Sequence, residues 1–393
     1  MYASDAPVAY LDNAATTAIL PEALDVLYRE AATVGNASSL HGAGRRARKV
    51  VEESREKLAA AIGAKPQEVI FTASGTEANN LAVKGMYWQG RNKDPEKVGI
   101  LSSPIEHHAI LDPLEWLERE GEATLYLADV DSSGVTKPAH VAQILSEHGA
   151  KISFATIMHS NNEVGALQPI SEIAAITREY NIPIHTDAVQ SFGKIPLDFA
   201  KLGVDALTIS AHKIGGPLGV AALIAKKNLE LTPLLHGGGQ EREVRSGTLH
   251  TPSIAAFATA AEISQTRLSE NSARIRALRE KLIAGITHAV TDVRVNGGEL
   301  TLPGIAHFTF AGAEGDALLL LLDAQGVQCS TGSACSAGIA QPSHVLLAMG
   351  MAPKVARSSI RFSIGTTTTE AEINKAISVI GEVVSRARAA GAK

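Results

Sequence analysis

The amino-acid sequence predicts an α/β protein with a large domain on a mainly parallel seven-stranded sheet and a smaller α/β C-terminal domain. Seven short β-rich runs alternate with helical segments between about residues 68 and 225, and a second alternation follows a long helical stretch. Because 393 residues exceed what one compact core usually holds, we expect two domains. Their predicted extents are 18–260 for the large domain, and 1–17 with 261–393 for the small one.

The predicted elements follow from composition and periodicity. The strands of the large sheet are expected at 68–72, 98–101, 124–127, 151–155, 182–185, 206–209 and 220–224, with a helix over 171–180. Beyond them we expect helix over 253–289, strands at 306–310, 327–329 and 359–363, a helix at 316–323 and an amphipathic C-terminal helix. Ligands of such sheets collect at the carboxyl ends of the strands.

Composition excludes several classes of protein. A formal net charge of -5 argues against direct binding of nucleic acid or of an anionic membrane. No apolar run approaches the ~20 residues that span a bilayer, and the N-terminus lacks a signal-peptide pattern. The two cysteines, Cys329 and Cys335, fit a reducing compartment, so we expect a cytoplasmic protein. No Cys/His cluster has zinc spacing, and we expect no structural metal.

A lysine with suitable neighbours follows one of the predicted strands. Lys213 ends the run Ser210-Ala211-His212-Lys213, where a lysine can hold an aldehyde cofactor as a Schiff base. Ser210 and His212 add hydrogen-bond donors beside it. Gly75 and Thr76 come directly after another strand and open a helix, so their backbone amides point at whatever lies there. The pattern predicts a phosphate-bearing cofactor next to its covalent anchor.

Three further polar residues follow predicted strands. Asp187 ends the strand that begins at Ile182, and a carboxylate there could keep a pyridine nitrogen protonated, which makes the ring an electron sink. Gln190 could donate to the phenolic oxygen of the same cofactor. His107 begins a helix and could stack on a ring or move protons. His107 and His108 do not predict a metal site, because neighbouring side chains on a helix diverge.

A guanidinium and a thiol complete the candidate chemistry. Arg361 lies in an alternating strand and presents the fork that suits a substrate carboxylate. Cys335 lies in a Gly/Ser-rich loop, as a nucleophile that must reach outward requires, whereas Cys329 ends an apolar run and is expected to be buried. The Gly-rich loop 236–248 is either a surface loop or a segment that reaches a neighbouring subunit's site.

The joint order of these motifs resembles the cysteine desulfurases, within the aminotransferase class V group of fold-type I pyridoxal-phosphate enzymes. The similarity covers almost the whole chain, through residues 10–17, 75–77, 106–109, 161–165, 185–190, 210–213, 236–241, 245–248, 332–335, 342–346 and 359–365. It implies conversion of L-cysteine to L-alanine, with sulfur transferred to an enzyme cysteine as a persulfide for iron–sulfur cluster assembly and other sulfur-transfer pathways.

The resemblance also implies a role for each site residue. Lys213 would hold pyridoxal 5'-phosphate, and Lys213 or His107 would move the substrate's α-proton. Cys335 would accept the sulfur. The residues implied to bind the cofactor are Gly75, Thr76, His107, Asp187, Gln190, Ser210, His212 and Lys213, with Thr248 from the other subunit of a homodimer. The residues implied to bind the substrate are Asn36, Asn162 and Arg361.

The region around Cys335 resembles the branch with a long cysteine loop, expected here over about 328–342. It implies a protein sulfur acceptor such as an iron–sulfur scaffold, with which Cys335 could transiently share a cluster. Where that branch commonly has Gly-Arg-Phe-Thr-Thr, this chain has Gly365 followed by four threonines, which could alter a partner surface or local packing. The predicted catalytic residues are unaffected.

Two alternative functions remain compatible with parts of the pattern. An aminotransferase, a selenocysteine lyase or a kynureninase-like hydrolase would need Lys213 but not the thiol of Cys335 as an acceptor. A non-catalytic scaffold would keep the fold and would need neither the lysine nor the cofactor.

Overall fold

The computed structural model describes residues 8–120, 123–332 and 341–391, and their strands form three sheets. The strands are β1 Ala9–Tyr10, β2 Val69–Thr72, β3 Gly99–Ser102, β4 Thr124–Leu127, β5 Ile152–Thr156, β6 Ile184–Asp187, β7 Ala206–Ser210, β8 Ala221–Ala225, β9 Val293–Asn296, β10 Ile305–Phe310, β11 Val327–Gln328 and β12 Ser359–Ser363. The largest sheet has seven strands in the order β2-β8-β7-β6-β5-β3-β4, and β8 alone runs in the direction opposite to the other six. The mainly parallel seven-stranded sheet predicted from the sequence is confirmed.

Alternate side chains of the large sheet pack into two apolar cores. In β8, Ala222 and Ile224 belong to one core, while Leu223 and Ala225 belong to the other. Successive strand residues point to opposite faces, and both faces of this sheet are covered by helices. This double burial explains why the strands read as continuous apolar runs in the sequence.

The helices alternate with the strands along most of the chain. They are α1 Pro21–Ala31, α2 Gly42–Ile62, α3 Gly75–Lys93, α4 His108–Arg119, α5 Pro138–His148, α6 Ile170–Glu179, α7 Phe199–Leu202, α8 Thr251–Thr266, α9 Leu268–Ala289, α10 Gly315–Ala324, α11 His344–Ala348, α12 Pro353–Ala356 and α13 Glu370–Gly391. The predicted helix over 253–289 is therefore two helices that meet at Arg267. None of the helices in the described ranges is long and apolar enough to cross a membrane.

The N-terminal segment joins the C-terminal part of the chain. Strand β1 pairs in parallel with β11, and Asn13 Nδ2 donates to the Ser363 carbonyl at 2.9 Å. The antiparallel sheet β12-β10-β9 lies beside this pair, and α9, α10 and α13 supply the apolar side chains of its core. Residues 261–266 belong to α8, and α8 packs on α1 and α2 of the large-sheet core.

The parallel strands bring four polar segments to one edge of the large sheet. Ser74 follows β2, His107 follows β3, Asp187 ends β6 and Ser210 ends β7. Because the carboxyl ends of parallel strands share one edge, these segments meet there.

Candidate functional site

A cavity of about 380 Å³ lies at this edge of the sheet. It brings together ten of the residues that the sequence singled out, namely Gly75, Thr76, His107, Asn162, Asp187, Gln190, Ser210, His212, Lys213 and Arg361. Ser330 and Gly332 complete one side of the wall, directly before the segment 333–340. The cavity therefore gathers residues from several segments of the chain, between positions 75 and 361.

The start of α3 forms a cradle for an anion. The Ser74 side chain caps the helix by accepting from the Glu77 amide at 3.0 Å. The amides of Gly75 and Thr76 have no intrahelical acceptor, and the helix dipole favours negative charge there. A Cβ added at Gly75 would lie 3.6 Å from the Ser210 Cβ and 3.3 Å from Val189 Cγ2, so a side chain there would narrow the cradle.

Lys213 follows β7 and directs its amine into the site. Its Nζ donates to the carbonyls of Ala14 and Ala15 at 2.6 and 2.7 Å. Burial lowers the pKa of Lys213 to about 8, and the nearby Arg361 adds to the effect, while Asp187 and Asp12 oppose it. A larger fraction of this amine than of an ordinary lysine is therefore neutral near neutral pH, as a nucleophile requires.

A buried carboxylate, Asp187, lies at the end of β6. Its Oδ2 accepts a hydrogen bond from Asn79 Nδ2 at 2.6 Å, and its Oδ1 accepts from the Val189 amide at 2.9 Å. A carboxylate has about four acceptor sites, so Asp187 can accept a further donor from a ligand. Asn79 Oδ1 is buried and has no hydrogen-bond partner in the described structure.

His107 caps the N-terminus of α4 at the cavity wall. Its Nδ1 accepts from the Ala109 amide at 3.0 Å, which leaves Nε2 as the other protonation site of the ring. Removal of the ring from bulk water lowers the pKa of His107; Asp187 opposes this effect and Lys213 adds to it. The lowered pKa favours the neutral ring, and its one hydrogen then lies on Nε2 because Nδ1 accepts from the Ala109 amide.

His212 and Gln190 are held by contacts with the segment 14–16. His212 Nδ1 lies 3.3 Å from Thr16 Oγ1, and Gln190 Nε2 donates to the Ala14 carbonyl at 2.9 Å. Burial lowers the pKa of His212 to about 4, and Lys213 adds to the effect. The ring is thus neutral at physiological pH and can donate one hydrogen bond.

Arg361 presents its guanidinium from β12. Its Nη2 donates to Asp12 Oδ1 at 2.7 Å, and its Nη1 donates to the Asn162 carbonyl at 2.9 Å. The Nε of Arg361 is buried and has no partner in the part of the chain that the structure describes. The cation comes from β12 and the anion cradle from the start of α3, so two different elements supply anion-binding groups to the cavity.

Two expected residues do not line the cavity. Asn36 is exposed, and its side chain accepts from the Ser38 amide at 2.9 Å. Thr248 is also exposed, at the end of the loop 236–248. Glu241 anchors this loop: its buried carboxylate forms a bidentate ion pair with Arg55, with distances of 2.6 and 2.8 Å.

Cys335 lies outside the described residues, but both flanks of its segment approach Glu163. The Oε2 of Glu163 accepts from Ser343 Oγ at 2.5 Å, and a Cβ added at Gly332 would lie 3.2 Å from the same oxygen. Burial raises the pKa of Glu163, and the hydrogen bond from Ser343 opposes this rise. Cys329 is buried in the core between the three-stranded sheet and α9, α10 and α13, as the sequence predicted, and burial raises the pKa of its thiol.

Sequence reasoning missed two residues that orient the site. Asn79 lies one turn beyond Gly75 on α3, so its helical spacing alone could have indicated that it faces the same cavity. Asp12 lies in the N-terminal segment, and its contact with Arg361 joins residues that are far apart in the chain. The contact between Asp12 and Arg361 could not be inferred without the fold.

Comparisons with known proteins place these features in a family. The model of the family described as Aminotransferase class-V matches residues 9–375. An IscS-like cysteine desulfurase from Mycobacterium tuberculosis is 48% identical, over 98% of each chain. The cysteine desulfurase IscS of Dictyoglomus turgidum is 42% identical, over 96% of this chain and 95% of its own. A solved NifS-like protein superposes with a TM-score of 0.88 at 34% identity, covering 97% of this chain and all of its own.

Proposed function

The chain belongs to the cysteine desulfurases of the aminotransferase class-V family, which are pyridoxal phosphate-dependent enzymes, and we propose how its own residues perform that activity. The function is the conversion of L-cysteine to L-alanine, with the sulfur passed to an enzyme cysteine as a persulfide. One observation carries the assignment of the site: the lysine amine, a buried carboxylate and a guanidinium meet in a single cavity.

The residues that line the cavity fit pyridoxal 5'-phosphate. The phosphate suits the start of α3, with Gly75, Thr76, Ser210 and His212 as donors. Asp187 suits a protonated pyridine nitrogen. Asn79, which donates to Asp187, has a buried Oδ1 without a partner among the described residues, and this oxygen is a further hydrogen-bond acceptor beside Asp187. When bound, the cofactor supplies a ring that withdraws electrons from the substrate's α-carbon.

Lys213 and His107 are the residues we assign to proton transfer. The lowered pKa of Lys213 favours the neutral amine, which would hold the cofactor through its aldehyde group and is the base that could accept the substrate's α-proton. The ring of His107 would stack on that of the cofactor, and its Nε2 is the nitrogen left to give up or take back a proton, because Nδ1 accepts from the Ala109 amide. Gln190 would donate to the cofactor's phenolic oxygen.

Arg361 and Asn162 bind the carboxylate of the substrate. The guanidinium is held by Asp12 and by the Asn162 carbonyl, which fixes the fork before the substrate arrives. Its buried Nε retains a donor that no described residue uses. We assign an auxiliary role at the same carboxylate to the exposed Asn36.

We assign sulfur transfer to Cys335. Its thiolate attacks the sulfur of the bound cysteine, the carbon–sulfur bond breaks, and the electron pair goes to the substrate carbon, which is then protonated to give alanine. Cys335 keeps the transferred sulfur as a persulfide, so no outside oxidant is needed. A protein acceptor, such as an iron–sulfur scaffold, then takes this sulfur, and Cys335 could share a nascent cluster with it.

The assembly we propose is a homodimer in the cytoplasm. Thr248 is exposed and does not line the cavity of its own protomer, which supports a role at the phosphate of the partner's site. The presence of only two cysteines in 393 residues supports a reducing compartment.

Within the protomer, we propose a large domain over about 18–260 and a small one over 1–17 and 261–393. The pairing of β1 with β11 supports the assignment of the N-terminal segment to the small domain. The division then falls near the junction of α8 and α9.

The test measures alanine released from L-cysteine, with and without a thiol reductant, by the purified protein and by Cys335→Ala. We expect sustained turnover with reductant and a reducible persulfide only in the native protein, while Cys335→Ala binds the cofactor but stalls. Lys213→Ala should lose the cofactor absorbance that borohydride fixes in the native protein. Equal alanine release by Cys335→Ala would reject Cys335 as the acceptor.

A further inference from the structure

A second lysine lies behind the site and contacts it through Gln190. Lys194 Nζ donates to Gln190 Oε1 at 2.9 Å, while Gln190 Nε2 donates to the Ala14 carbonyl at 2.9 Å. The same carbonyl accepts from Lys213 Nζ at 2.6 Å. A continuous series of hydrogen bonds therefore joins Lys194 to the lysine in the cofactor cavity.

The surroundings of Lys194 are unusual for a lysine. It lines a separate, mostly apolar cavity of about 230 Å³, whose wall it shares with Lys213 and Arg267. Within the described ranges Lys194 forms no ion pair with a carboxylate, and the charged groups around it are cations: Lys213, Arg361, Arg267 and, when protonated, His212. Burial lowers the pKa of Lys194 to about 7, and Lys213 and Arg361 add to the effect.

The contact with Gln190 gives the Lys194 amine a structural role. The oxygen and nitrogen of the Gln190 amide are nearly the same size, so only the partners on each side decide which end faces the cofactor. Lysine is a donor and the Ala14 carbonyl is an acceptor, so the amide oxygen must face Lys194 and the amide nitrogen must face the site. One N–H of Gln190 is then used by Ala14, and the second remains for a ligand.

We propose that Lys194 is a positioning residue, which fixes the Gln190 amide so that its nitrogen donates to the phenolic oxygen of the cofactor. The inference rests on the proposed function, because Gln190 has an oxygen to contact only when pyridoxal phosphate occupies the site. The role does not require Lys194 to be charged, since both the ammonium and the neutral amine donate hydrogen bonds.

The test follows the absorbance of the bound cofactor as a function of pH in Lys194→Met. Losing a donor at the phenolic oxygen favours the protonated chromophore, so the pH of the absorbance transition should rise by roughly half a unit or more. Loss of one hydrogen bond changes an equilibrium about fivefold, so the apo protein should also bind the cofactor about fivefold more weakly. Lys194→Arg, which keeps a donor, should stay close to the native protein. Lys226→Met is the matched control: Lys226 is also half-buried and donates to a side-chain oxygen, Asp205 Oδ1, at 2.9 Å.

A second background separates positioning from a direct effect of charge. If Lys194 acts through Gln190, the shift caused by Lys194→Met should shrink to a small remainder when Gln190 is already alanine. An undiminished shift in the Gln190→Ala background would overturn the positioning role. A normal transition in Lys194→Met, with unchanged cofactor affinity, would overturn the inference and leave the proposed function intact. Absence of cofactor absorbance from the native protein would overturn both.

Discussion

The charged residues of the site are held before any ligand arrives. Arg361 is only 5% exposed and is already paired with Asp12 and the Asn162 carbonyl. Asp187 is likewise fixed by Asn79 and the Val189 amide. Ordering these side chains during folding removes an entropic cost from substrate binding. The arrangement predicts that single substitutions here change binding more than they change the fold.

Arg361→Ala should raise the KM for L-cysteine sharply. The charge-assisted pair between guanidinium and carboxylate is worth ~1.5 to 3 kcal/mol, which corresponds to an increase of roughly 10- to 150-fold. Arg361→Lys keeps the charge but loses the fork, so its KM should fall between those of the native protein and the alanine variant. Steady-state alanine release measures KM, and an intact cofactor spectrum shows that each variant is folded. An unchanged KM in Arg361→Ala would remove this residue from the substrate site.

At the scale of elements, strand positions could be predicted closely from the sequence, because the strands are short apolar runs buried on both faces. The strand expected at 182–185 is Ile184–Asp187 instead. Pro183 has no backbone N–H to donate to a neighbouring strand, so the strand begins after it. At the other end, pairing with β7 extends the strand to Asp187, which lies opposite Thr208. Strand β9 was missed, since its residues are only partly buried and pair through β10 alone. The break at Arg267 was missed because the helical pattern continues across it.

The loop that carries Thr248 is tied to the edge of the large sheet by a buried ion pair. Glu241 accepts from two nitrogens of Arg55 on α2, and its Oε2 also accepts from the Phe71 amide of β2 at 2.9 Å. Arg55 in turn donates to the Val69 carbonyl at 2.7 Å and lies over the Phe71 ring. One carboxylate thus connects a helix, a strand and the loop.

Glu241→Leu should destabilise the protein by about 3 to 5 kcal/mol, because it leaves the Arg55 guanidinium buried without its partner. The double variant Arg55→Met, Glu241→Leu removes both charges and should lose much less than the sum of the two single changes. Denaturant unfolding measures these free energies. Lys57→Met, which breaks the exposed pair with Glu262, is the control and should cost at most about 1 kcal/mol. Additive single and double effects would show that the buried pair does not couple these elements.

At the scale of the whole molecule, buried neutral histidines occur in two of the three sheets, the seven-stranded and the three-stranded one. His185 of β6 is fully buried, with its ring nitrogens 2.9 Å from Thr156 Oγ1 and 3.0 Å from Thr208 Oγ1. His307 of β10 is buried beside Asn296, 2.9 Å from the amide nitrogen. Burial lowers the pKa of each ring to about 3. Protonation of either ring would place a cation in a sheet interior where no carboxylate of the described residues compensates it.

The stability of the protein should therefore fall on acidification from about pH 6.5. Above that pH a histidine is neutral in both the folded and the unfolded chain, and it contributes no pH dependence. Below it the unfolded chain takes up a proton that the folded chain refuses until about pH 3, so the folded state loses stability as the pH falls through this window. At pH 5, His185 alone should account for about 2 kcal/mol of this loss, since each pH unit is worth about 1.36 kcal/mol.

Denaturant unfolding of the native protein and of His185→Gln at pH 7.5 and pH 5 measures this contribution. The variant lacks the ring hydrogen bonds and should be less stable at pH 7.5, but its stability should fall by about 2 kcal/mol less between the two pH values. Burial raises the pKa of the Glu106 and Glu163 carboxyls, so acid favours the folded state at these two residues. This opposite contribution is the same in the native protein and in His185→Gln, and it cancels when the two are compared. His288→Gln, a change at an exposed position of α9, should retain the native pH dependence. If His185→Gln kept the native dependence as well, the acid sensitivity would have to originate elsewhere, and the sheet interior would have to accommodate a protonated ring.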